Sequence, residues 1–186
     1  ARPGSDTKVP HFVVPSKSIL FLVMLTLSAM LVEGSGIDWS VIYMRDVHQT
    51  LPIISGLAFA VGAFSQFVAR FFADQYVDKF GAEPVAKYSI FLMLIGVTCV
   101  TFSQSPLAAL IGFAFMGAGN AVIFPLAISA AAQKTDRPAA VNVASLVQIS
   151  FVVFLLAPPL LGFIAEIFGI RVSFGLSIPF IFISWL

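Results

Sequence analysis

Charge is scarce in this chain of 186 residues: 10% are Asp, Glu, Lys or Arg, while 59% are hydrophobic. Mean hydropathy is +1.01. A soluble domain carries roughly a quarter charged residues. A soluble globular enzyme, a nucleic-acid binder and a disordered chain therefore fit poorly. The net charge of +1 leaves no basic face large enough to grip phosphates. The one cysteine, Cys99, cannot close an internal disulfide and reads most simply as a small core residue. His11 and His48 stand far apart, with no metal-ligand cluster near either. Gly117-Ala118-Gly119 lacks the third glycine and the preceding strand of a dinucleotide fingerprint, and no serine sits in a nucleophile-elbow setting. No cofactor or metal is called for, and no enzyme site is legible.

Long apolar runs are what the chain has instead. A membrane helix needs roughly 20 residues, and six such helices plus short loops account for the length. The expected spans are 18–43, 51–72, 85–103, 107–132, 139–165 and one from 172 to 186. The last is too short to cross with loops to spare, so we expect the chain to end inside a helix. Residues 1–17 are polar, carry Pro3, Pro10 and Pro15, and read as a linker or cut end ahead of a membrane unit at 18–186. Continuous runs such as Ser18–Val32 exclude the alternating polarity of a β-barrel. The expected fold is therefore an all-α membrane protein.

Lysine and arginine set the expected orientation. Arg2, Lys8, Lys17, Arg70, Lys79, Lys87, Lys134 and Arg137 fall on one side, eight in all, against Arg45 and Arg171 on the other. This predicts that the side of the N-terminal tail, and with six spans both termini, faces the cytoplasm.

The second-to-third connection runs Arg70-Phe71-Phe72-Ala73-Asp74-Gln75-Tyr76-Val77-Asp78-Lys79-Phe80-Gly81. We expect a tight charged turn, with Gly81 allowing a backbone other residues resist. Asp78-Lys79-Phe80-Gly81 resembles the core of the cytoplasmic loop signature of the major facilitator superfamily. Asp74 stands where that signature has a leading glycine, and Ala82-Glu83 where it has a basic pair. Other segments resemble a bacterial branch near fucose-permease-like transporters. These are Glu33-Gly34-Ser35-Gly36-Ile37-Asp38-Trp39-Ser40-Val41-Ile42-Tyr43, the Gly117–Asn120 segment followed by Pro125, and Pro158-Pro159 with Gly162, Gly169 and Arg171.

The resemblance implies half of a twelve-helix fold: six helices as two inverted three-helix repeats. The polar tail fits a central linker, which favours the C-terminal half over the N-terminal one. It also implies secondary transport of a small solute by alternating access, with protons as a candidate coupling ion. The implied partners are the lipid bilayer and the other six-helix half, and the implied location is a bacterial inner membrane. A non-transporting sensor or scaffold with the same fold is the competing reading.

Glu33 is the leading site candidate. It lies roughly 22 Å along the first helix, in a core about 30 Å thick. A carboxylate there is costly unless it meets a cavity, a partner or a proton, and a static interhelical hydrogen bond is the plainer alternative. Asp38 falls near the far interface, where Trp39 and Tyr43 suit an aromatic belt. Glu33 and Asp38 share no helix face unless Gly34 and Gly36 loosen the helix. Asn120 and Gln148 could bind a substrate or join helices, and for Asn142 packing leads. Gln66, close to Arg70, reads as part of a polar network at the cytoplasmic end. Pro125, Pro158 and Pro159 should bend their helices, while Gly112, Gly117 and Gly119 should let helices approach closely.

Overall fold

A computed structural model describes residues 13–185, and every regular element among them is helical. Five helices are long and apolar enough to cross a membrane. They are α1 (Lys17–His48), α2 (Pro52–Phe80), α3 (Ala82–Phe102), α4 (Pro106–Gln133) and α5 (Ala139–Phe168). A shorter apolar helix, α6 (Ile170–Trp185), follows; its length is about 24 Å. Residues 1–12 of the expected linker, and Leu186 at the end of the last expected span, lie outside the described residues.

Local chemistry explains the joints. Pro52 and Pro106 open α2 and α4 at the first helical position, where a missing N–H costs nothing. The Ser105 hydroxyl caps α4 by accepting the Ala108 N–H at 3.3 Å. Single glycines with positive φ close α2 and α5, Gly81 at 88° and Gly169 at 89°. Each lets one helix stop and the next start within a residue.

The second connection corrects the sequence reading. α2 runs to Phe80, so Asp74, Asp78 and Lys79 are helical and only Gly81 forms the turn. Arg70 likewise leaves the loop and lies inside α2, roughly 15 Å from its end. Other boundaries also move outward: α1 extends to His48, α3 starts at Ala82, α5 ends at Phe168 and α6 starts at Ile170.

Close packing follows the glycines. Along α3 and α4, a methyl added at Gly96 would lie 2.4 Å from the Met116 nitrogen, and one at Gly119 2.4 Å from the Met93 nitrogen. Gly112 meets Val100 at 2.8 Å in the same sense. These pairings descend one helix as they climb the other, so the two are antiparallel. α2 and α4 run parallel, and they touch where a methyl at Gly117 would fall 2.1 Å from the Gly62 carbonyl oxygen. The main apolar core joins α1, α3, α4 and α6 through Tyr43, Met93, Val97, Phe113, Phe174 and Ile181.

Two proline sites behave differently. α4 breaks at Ala121–Val122, one turn before Pro125. α5 continues as one helix through Pro158 and Pro159.

Candidate functional site

α1 changes pitch directly after Glu33–Gly34. Residues Ser35–Trp39 form a π-helical turn, and α-helix resumes at Ser40. Such turns occur mostly as single insertions within α-helices and often at functional sites. The helix is thus loosened over a segment that contains Gly36 and directly follows Gly34. Even so, the turn does not bring the two acids together. Glu33, Gly36 and Ile37 line a cavity of about 160 Å³, whereas Asp38 is exposed and outside it.

The cavity sits between α1, α2 and α4, walled by Phe59, Phe113 and Met116, with Gly62 and Gly117 at its back. Its polar side is built from three helices. Gln66 Nε2 donates to both Glu33 carboxylate oxygens, at 3.0 and 3.2 Å. Asn120 Nδ2 donates to Glu33 Oε2 as well. No cationic side chain among the described residues forms a salt bridge with Glu33. Glu33 is the one charged residue among those described in the cavity wall, and among the described residues the hydrogen bonds to its carboxylate come from the neutral amides of Gln66 and Asn120.

Arg70 completes the cluster from below. Pro125 has no N–H, so the carbonyl four residues earlier, Ala121, loses its helical donor. Arg70 supplies two instead: Nε at 3.0 Å and Nη2 at 2.8 Å from the Ala121 oxygen.

The remaining candidates fall elsewhere. Gln148 Oε1 accepts the Val13 backbone N–H at 3.0 Å, so the segment before α1 folds against α5. Beside it, Arg137 donates to the Val14 carbonyl at 2.7 Å. Ser18 and Asn142 donate to the Asp136 carboxylate at 2.7 and 2.9 Å. Hydrogen bonds from Ser16, Ser18 and Asn142 hold Asp136 well below the usual carboxylate range. Asn142 thus clamps the connection that precedes its own helix, through Lys134, Asp136 and Arg137.

At the opposite end, Tyr43 is fully buried rather than in an interfacial belt. Its hydroxyl donates to the Val100 carbonyl at 2.5 Å and meets Ser103 Oγ at 2.9 Å, where His48 Nε2 also arrives at 2.9 Å. Arg171 donates to the Thr101 and Ser103 carbonyls at 3.2 and 2.6 Å. This clasp ties α1, α3 and α6 together.

Gln66 is the residue that sequence reasoning misplaced. Counted from the basic end, Glu33 lies roughly 24 Å along α1, Gln66 roughly 21 Å along α2 and Asn120 roughly 20 Å along α4. The three depths match once α2 is known to end at Phe80. With that helix ended at Phe72, Gln66 looked close to the surface.

Known proteins share this architecture. A family model described as Major Facilitator Superfamily matches residues 19–186. An uncharacterized MFS-type transporter of Yersinia pestis is 31% identical over 92% of this chain and 45% of its own length. The uncharacterized transporter y4wD of Sinorhizobium fredii is 29% identical over 87% of this chain and 43% of its own length. The membrane protein MosC of Rhizobium meliloti is 27% identical over 82% and 37%. This chain thus spans less than half the length of these curated relatives. Among solved structures, a peptide transporter, POT, in complex with sulfate superposes with a TM-score of 0.79 at 14% identity, over 93% of this chain and 38% of that one. At that identity the likeness concerns the fold.

Proposed function

Since this chain belongs to the major facilitator superfamily, we propose that residues 18–186 form one six-helix half of a secondary transporter that moves a small solute by alternating access. Glu33 is the group we assign to substrate or proton binding. The observation that carries this reading is the carboxylate itself: it lines a cavity, receives only amide donors, and has no cationic partner among the described residues. An ionisable group so placed is expensive without a ligand or proton to meet it.

The exposed apolar faces of α2 and α5 support the other half as a partner. The eight-to-two basic bias supports cytoplasmic termini. Its strength rests less on Arg70, which reaches inward to a backbone carbonyl. A bacterial inner membrane agrees with the bacterial relatives. The Glu33–Tyr43 and Pro158–Arg171 segments support a fucose-permease-like branch on motif alone.

The test is uptake and efflux of a panel of labelled sugars, amino acids, amines and organic acids by the full-length protein in vesicles, with and without a proton gradient. For any solute moved, Glu33→Gln should abolish gradient-driven accumulation while leaving solute exchange measurable. Wild-type accumulation by a well-expressed Glu33→Gln variant would remove Glu33 from the coupling role. A panel with no movement in either direction would favour a sensor or scaffold.

A further inference from the structure

We propose that Arg70 is a positioning residue for the Glu33 site, acting on Asn120 through the broken backbone of α4. The argument starts from Pro125. A proline inside a helix strips one donor from the carbonyl four residues earlier. Here that carbonyl belongs to Ala121, which is fully buried. A buried carbonyl without a donor keeps its full desolvation cost, so an unassisted break at this point would be unstable or would move. The next carbonyl along is served normally, since the Leu126 N–H donates to Val122 at 3.0 Å. The lost bond is therefore local to one oxygen.

Arg70 replaces it. Two N–H groups of one guanidinium converge on the Ala121 oxygen, at 3.0 and 2.8 Å. The group also carries positive charge to the C-terminal end of the first segment of α4, Pro106–Asn120, where the helix dipole favours a cation. Ala121 directly follows Asn120, whose side-chain amide donates to Glu33. Holding the Ala121 carbonyl therefore fixes the backbone directly after Asn120, the last residue of that helical segment, and with it the aim of the Asn120 side chain. The same helix that supplies Arg70 supplies Gln66 one turn earlier, so α2 reaches Glu33 twice: directly by Gln66, and through Ala121 and Asn120 by Arg70. Arg70 is not among the residues that line the cavity, and its hydrogen bonds go to the Ala121 carbonyl rather than to the carboxylate; its role is to place a residue that does reach it.

The dependence on Pro125 gives the proposal a sharp signature. If Arg70 stands in for a missing N–H, restoring that N–H should make Arg70 dispensable. The inference rests on Glu33 being the site, and its readout does not require that the protein transport anything. The experiment uses the full-length protein in lipid nanodiscs. Glu33 is labelled with N,N′-dicyclohexylcarbodiimide, which reacts with protonated, accessible carboxyl groups, and the labelled peptide is followed by mass spectrometry. Arg70→Ala should change the Glu33 labelling rate roughly five-fold or more, the effect of losing a hydrogen bond worth a kcal/mol or somewhat more. In a Pro125→Ala background the same Arg70→Ala change should alter the rate by about two-fold or less. Arg70→Lys keeps the charge but not the planar fork, and should fall between wild type and Arg70→Ala. It decides the matter in both backgrounds if Arg70→Ala does not fold. An equal effect of the Arg70 substitution with and without Pro125 would overturn the proposal, as would no effect at all in the Pro125 protein.

Discussion

α1 and α4 differ from α2 and α5 in a way their apolarity conceals. Over their most apolar stretches, α1 and α4 are 61% and 50% buried, whereas α2 and α5 are each 11% buried. Hydropathy ranks them differently, since α5 is the most apolar of the four. In water, the greasier helix would be the inner one. In a bilayer, lipid is as apolar as leucine, so apolarity does not select a helix for the interior. What distinguishes the inner pair is small and polar residues at contacts: Gly112, Gly117, Gly119 and Asn120 on α4, Ser28, Glu33 and Ser35 on α1. α2 and α5 instead present phenylalanine and leucine outward, among them Phe64, Phe67, Leu155 and Phe163.

The largest effect that would test this contrast lies at the α2–α4 crossing. Gly117→Val places side-chain carbon where the Gly62 carbonyl already sits. The expected cost is about 3 kcal/mol or more, visible as lost thermal stability or lost folded protein. Normal stability would mean that the crossing is loose. A smaller loss is expected at the clasp. Tyr43→Phe removes a buried hydroxyl bonded to Val100 and Ser103, for about 1 kcal/mol, read by thermal unfolding. No change there would assign the holding role to Arg171 and His48.

The outer pair offers a comparison rather than a loss. Leu155→Cys on α5 and Phe91→Cys on α3, each spin-labelled in a variant lacking Cys99, report oxygen collision rates in the full-length protein. Leu155 is 74% and Phe91 47% exposed in this half. If the other half covers α5, the label at Leu155 should be the less accessible to oxygen. Greater accessibility at Leu155 would leave α5 facing lipid. The smallest effect concerns Asp136, whose folded form titrates below its ordinary value of 3.8. Its stabilising contribution is present above that value and is lost as pH falls through and below it. Wild type and Asp136→Asn should therefore differ in melting temperature at pH 7 and converge only in acid below about pH 4. A constant difference across that range would exclude the carboxylate charge as the cause.

Much of the fold was legible because membrane helices announce themselves by length and composition. The spans, the joint at Gly81 and the close approach at Gly112, Gly117 and Gly119 all follow from elementary constraints. The family resemblance drawn from Asp78–Gly81 agrees with the match over residues 19–186. Within the site, Glu33 was visible as an acid deep in an apolar run. Gln66 was not, because charged residues from Asp74 to Lys79 suggested a loop where the helix in fact continues beyond the apolar stretch. Hydropathy marks where the apolar run ends; the helix ends where Gly81 permits it. Tyr43 was misread for a related reason. An aromatic near a helix end suits a lipid interface, but only tertiary packing shows that Val100, Ser103 and Phe174 enclose this one.

The glycine contacts between α3 and α4 bear on motion as well as on proximity. A seam where Gly96, Gly112 and Gly119 press against opposing backbone has almost no clearance. Sliding either helix by a single residue would drive a larger side chain into that space. The two are thus geared together and can travel only as one plate. At one margin this plate carries Ser103, engaged by Tyr43 and His48; near its middle it carries Asn120, engaged by Glu33. A tilt at the clasp would arrive at the carboxylate as a displacement of the amide, with no side-chain rearrangement required in between.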